Sequence, residues 1–132
     1  MLNRRAFLLA LAACAACRGE SGPKDPIWGK QPCAHCNMLV SDPLYAAQAE
    51  SARGDRLFFD DVGCMASYLT EHRGTTKAWV RDAKGNWLEA ERARFRLGAR
   101  TPMDFGVVVD AAGSLDFAAV KERVAAKARG ES

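Results

Sequence analysis

Two stretches of this chain read the same way: strand, turn signal, strand, capped helix. In the first, Leu44, Ala46 and Gln48 alternate with Tyr45, Ala47 and Ala49, which suits a strand from Leu44 to Glu50. Arg53-Gly54-Asp55 is a turn signal and Leu57-Phe58-Phe59 resumes as a second strand, so a hairpin is predicted. Asp60 or Asp61 then caps a helix from Val62 towards His72, with Val62, Met65, Ala66 and Leu69 on one face and Cys64 and Tyr68 on a neighbouring one. Gly74 lies just past its end.

The second stretch partly repeats the plan. Ala78-Trp79-Val80 and Trp87-Leu88 flank the turn signal Asp82 to Asn86. Ala93, Phe95 and Leu97 alternate with Arg92, Arg94 and Arg96, as in a half-buried strand with a solvated arginine face. Phe105 to Val109 is a continuous apolar run that suits a central strand. Ala111-Ala112-Gly113 breaks it, and Ser114 or Asp116 caps a last helix burying Phe117, Val120 and Val124, with Lys127 to Ser132 frayed. Two successive β-hairpin–helix units imply an α+β fold, an antiparallel sheet with two helices packed on it.

The N-terminus reads as an export signal. Asn3-Arg4-Arg5 is a charged region and Ala6 to Ala13 a short apolar one, below the roughly 20 residues that span a bilayer. Leu11-Ala12-Ala13-Cys14 looks like a bacterial lipobox with Cys14 as the acylated residue, and Arg4-Arg5-Ala6-Phe7-Leu8 resembles a twin-arginine signal. The expected organisation is a lipoprotein signal peptide over 1–13, a lipid-anchored flexible tether over 14–31, rich in Gly and Pro, and a metal-binding domain over 32–128. Trp28 is expected to dock on that domain. Such a protein would sit on a membrane facing the periplasm.

Charge excludes one class of partner. Removing Arg4 and Arg5 from the 19 basic residues leaves 17 against 16 acidic ones, so nucleic-acid binding has no support. Setting aside Cys14 and Cys17 near the anchor, the 5 cysteines reduce to Cys33, Cys36 and Cys64. An odd number in an exported domain argues against a pure disulfide framework.

The chemistry gathers in Cys33-Ala34-His35-Cys36-Asn37-Met38. By spacing alone the CxxC fits a redox pair, a disulfide staple, part of a zinc site or part of a copper site. The residues after it do not look helical, unlike a thioredoxin-type motif. Zinc wants four N/S ligands, which Cys64 and His35 or His72 would have to complete. Met38, Met65 and Met103 shift the balance, because each lies beside a cysteine or in a polar loop and thioether sulfur suits monovalent copper.

The pattern resembles the NosL family, lipoprotein copper chaperones of nitrous oxide reductase maturation. Cys33 to Met38 is similar to that family's CxxCGM motif, with Asn37 where the family has Gly, a residue that also tolerates a left-handed backbone. Trp79-Val80-Arg81-Asp82, Gly85 to Glu91 and Thr101-Pro102-Met103 look like its second-half signature. The resemblance implies Cu(I) as cargo, held first by Cys36 and Met38, then Cys33 and Met103, then Met65. His35 is a weaker candidate, His72 reads as a surface residue, and Cys64 reads as buried, with a helix-start position that could lower its pKa and make it a ligand. It also implies copper-donating and copper-accepting partners, nitrous oxide reductase or its assembly factors among them, and no catalytic turnover. A monomer or weak dimer is expected. A thiol–disulfide oxidoreductase and a structural zinc module remain the alternatives.

Overall fold

The computed structural model describes residues 22–75 and 77–131. Cys14, Cys17 and the expected signal segment lie outside the described residues.

The elements run β1 (Ala47–Glu50), β2 (Arg56–Phe59), α1 (Val62–Glu71), β3 (Lys77–Arg81), β4 (Trp87–Glu89), β5 (Phe95–Arg96), β6 (Val108–Val109) and α2 (Phe117–Ala128). The first four strands form an antiparallel sheet in the order β2-β1-β3-β4, and β5 pairs with β6 in a separate two-stranded ribbon. The fold is therefore α+β, as the patterning predicts.

Register divides the sheet into two faces. Ala47 and Ala49 of the central strand β1, with Phe59 and Val80 opposite Ala47, lie on the face towards α1 and are buried, while α2 packs on α1. Alanine at the centre lets α1 approach closely, and burying a side chain such as Phe59 or Val80 stabilises by about 1.5–3 kcal/mol. The opposite face carries Gln48, flanked by Phe58 and Trp79.

Residues 22–31 cover that second face, so within the described residues the expected tether is a docked arm. The fully buried Gln48 amide accepts from Lys24 N–H at 3.1 Å and donates to Lys24 C=O at 2.8 Å. Trp87 Nε1 donates to Asp25 at 2.8 Å, and the Arg81 guanidinium stacks on the rings of Trp28 and Trp87. Trp28 docks as expected. The arm holds because its backbone polar groups find partners on the sheet that a free tether would leave to water.

Three boundaries differ from the sequence reading. The first strand starts at Ala47 and not at Leu44, because Asp42 Oδ1 accepts the Leu44 amide at 2.9 Å and turns the chain over 42–45. Phe105 to Val109 is not a central strand: Asp104 and Gly106 have φ of 59° and 73°, and only Val108–Val109 pair, at the small ribbon. That ribbon separates the second hairpin from its helix, so the second unit is longer than the first. At the other end, α2 runs to Ala128, inside the segment expected to fray, and Glu131 N–H donates to Ala126 C=O at 3.0 Å.

Candidate metal centre

The Cys33–Met38 loop is closed by its own backbone. Cys33 N–H donates to Met38 C=O at 2.7 Å and Asn37 N–H to Cys33 C=O at 3.0 Å, while Pro32 bridges Leu39 at the loop's base. The reversal requires a left-handed residue, and Asn37 supplies it with φ 63°. Ala34 N–H donates to Phe58 C=O at 2.8 Å, which seats the loop on β2. Two residues after that strand, Asp61 caps α1 by accepting Gly63 N–H at 2.6 Å. Cys64 is the third residue of α1 and comes up beneath the loop.

Cys33, Cys36 and Cys64 are free thiols whose Sγ atoms all lie within 4.8 Å of one another. Cys33 and Cys64 are 2% and 0% exposed, whereas Cys36 is half-buried and gives the cluster its open side. Three sulfurs at about 2.3 Å from one ion would stand roughly 4 Å apart, so a small contraction closes the cluster on a metal. The three cysteines can hold a metal ion.

The cluster polarises its own protons. The Cys64 thiol donates to Cys33, and together with the N–H groups of Cys36, Asp60 and His35 this outweighs burial and lowers the Cys33 pKa to about 5. As donor to Cys33, and by burial and the nearby charges of Cys33, Cys36 and Asp61, Cys64 is driven upward. Burial and the Cys33 charge raise Cys36, against a hydrogen bond from Met38 N–H. Burial, with Cys33 and Asp61 alongside, also raises the Asp60 carboxyl, against the Ser41 N–H it accepts. The low-pKa thiolate is thus Cys33 and not Cys64, because the deeper sulfur gives its proton to the hydrogen bond.

The other sequence candidates lie in different settings. Met38 is 56% exposed on the loop. Met103 is half-buried, its N–H donating to Asp61 Oδ2 at 3.2 Å. Met65 is wholly enclosed in the core with Val62 and Ala66. His35 is half-buried, and exposed His72 stacks on Tyr68 at 3.9 Å between ring centroids. Cys64, which the sequence offers as a possible ligand but ranks behind Cys36, Met38, Cys33, Met103 and Met65, is a full member of the cluster. Its signal in the sequence is its place three residues after the Asp61 helix cap.

Comparisons with protein-family models, with curated proteins and with solved structures return no match to this chain. No helix among the described residues is long and apolar enough to cross a membrane.

Proposed function

We propose that this protein is a copper(I) carrier, with the ion as cargo held by Cys33, Cys36 and Cys64. The observation that carries this reading is the convergence of three soft sulfur donors, one of them half-exposed. Three thiolates saturate a trigonal monovalent copper ion, whereas structural zinc takes four protein ligands. Among the described residues, the metal-capable group of cysteines, histidines and carboxylates contains these three sulfurs and no fourth donor. Met38, on the exposed side, and Met103, in the loop beside Asp61, supply thioethers for a shell that changes during transfer.

Carriage requires tight binding and fast release. An incoming ligand can attack the ion from the Cys36 side and form a bond before the buried sulfurs let go, so no free ion is released. Nothing in this cycle needs turnover of a substrate, and the protein is a carrier and not an enzyme.

The resemblance of Cys33–Met38 and Thr101–Met103 to the NosL family supports a more specific role. In it, a lipid on Cys14 holds the carrier at the periplasmic side of a membrane, where it passes Cu(I) towards nitrous oxide reductase or its assembly factors. Anaerobic titration of the reduced protein against a strong Cu(I) chelator tests the central reading. One Cu(I) per chain should be retained, and Cys64→Ser should lose at least about tenfold in affinity. One equivalent of zinc retained, with no competition for Cu(I), would sink it.

A further inference from the structure

The same three thiols lie where disulfide chemistry can reach them, and the chain surrounds them unequally. Cys36 is half-buried, while Cys33 and Cys64 are sealed. Cys36 is therefore the most open of the three to a dissolved disulfide, and the other two are closed to it. We propose that the metal-free protein carries a thiol–disulfide exchange site at Cys36, resolved by Cys33, that takes low-molecular-weight disulfides such as glutathione disulfide.

The chemistry balances in two steps. Cys33 is the readier thiolate but is sealed, so the Cys36 thiol ionises and attacks one sulfur of the external disulfide, forming a mixed disulfide and releasing one thiolate, which takes up the proton Cys36 gave away. The Cys33 sulfur then attacks the Cys36 sulfur, forming the Cys33–Cys36 bond and releasing the second external thiol. Two electrons pass from the cysteine pair to the external disulfide, which leaves as two thiols. Cys64 stays reduced.

Cys33 resolves, and not Cys64, because of what each sulfur is attached to. Bond formation must bring sulfurs now within 4.8 Å to about 2 Å. Cys33 and Cys36 share one loop, and a turn closed by Asn37 N–H on Cys33 C=O already brings their backbones together. Cys64 sits on the first turn of α1, held by the Asp61 cap and by the Phe105 side chain packed against Gly63. The loop can adjust, and the helix start resists.

The disulfide would also remove two of the three donors of the proposed copper site, so oxidation and loading exclude each other. This last consequence rests on the copper reading; the exchange site does not.

The experiment treats reduced, metal-free protein with excess glutathione disulfide, alkylates the remaining thiols and maps the peptides by mass. The expected product is a Cys33–Cys36 disulfide with alkylated Cys64. Cys36→Ser, a change at a half-exposed position, should slow the loss of thiols at least about tenfold. Cys33→Ser should stop at a glutathione adduct on Cys36. Linkage through Cys64, an unchanged rate in Cys36→Ser, or three thiols persisting in the wild type would each overturn the proposal. Measuring Cu(I) on the two forms separates the readings. The oxidised protein should bind at least about 100-fold more weakly, while a reduced protein that binds none would remove the copper reading and leave the exchange site standing.

Discussion

Asp61 and Met103 are joined through one carboxylate. Its Oδ1 accepts Gly63 N–H at 2.6 Å and its Oδ2 accepts Met103 N–H at 3.2 Å, in a side chain that is fully buried. One residue thus fixes the start of the helix that carries Cys64 and the loop that carries a candidate thioether.

The two oxygens can be separated by substitution. Asp61→Asn keeps an acceptor for Gly63 but presents an NH2 group that cannot accept from Met103. Asp61→Ala loses both. Chemical denaturation should show Asp61→Ala less stable by about 1–3 kcal/mol and Asp61→Asn affected less. If Met103 serves the site, Asp61→Asn should weaken Cu(I) retention at nearly wild-type stability. Equal stability loss in the two variants would argue against the division of labour.

A thiolate titration follows from the Cys33–Cys64 hydrogen bond. Thiolate absorbance of reduced, metal-free protein should show one group ionising near pH 5, well below the ordinary value of 9.0. Cys64→Ala removes the donor and should move that step upward, whereas Cys64→Ser retains a donor and should move it less. The linkage has a definite sign. Between about 5 and 9 the folded chain binds fewer protons at Cys33 than the unfolded chain, so this contribution grows with pH and is lost as pH falls through about 5. Cys36 and Cys64 are raised and act oppositely, costing stability above pH 9.

Gly63 reverses a common rule. Alanine within a helix normally stabilises relative to glycine, by up to about 1 kcal/mol in the interior. Here a Cβ would run into the Phe105 side chain, so Gly63→Ala should destabilise by about 1–3 kcal/mol. Adding Phe105→Ala should recover part of that loss relative to Phe105→Ala alone. A double-mutant cycle with no coupling between the two would refute the contact as the cause.

The arm over the sheet should depend on Gln48. Gln48→Leu strands the Lys24 N–H and C=O beside an apolar side chain and should cost about 1–3 kcal/mol. Faster amide exchange over residues 24–28, with the helices unchanged, would locate the effect in the arm.

Local features were the legible ones. Arg53-Gly54-Asp55 and Asp82 to Asn86 mark their hairpins, and Asp61 and Asp116 cap their helices, because turns and caps satisfy the backbone within a few residues. The CxxC and the left-handed Asn37 belong to the same class, since the loop closes on itself. Strand limits were less legible. Leu44 and Tyr45 alternate as a strand should, yet the Asp42 side chain competes successfully for the backbone.

The sequence by itself determined the α+β pattern and the soft-donor loop with its two cysteines, Cys33 and Cys36. Only the tertiary structure decided that Cys64 completes the cluster and that residues 22–31 lie on the sheet. The reason is physical: Cys64 meets the loop because Phe58 C=O holds Ala34 while Asp61 starts the helix just beyond the same strand. Such a contact depends on strand register and sheet order, which no short stretch of residues encodes alone.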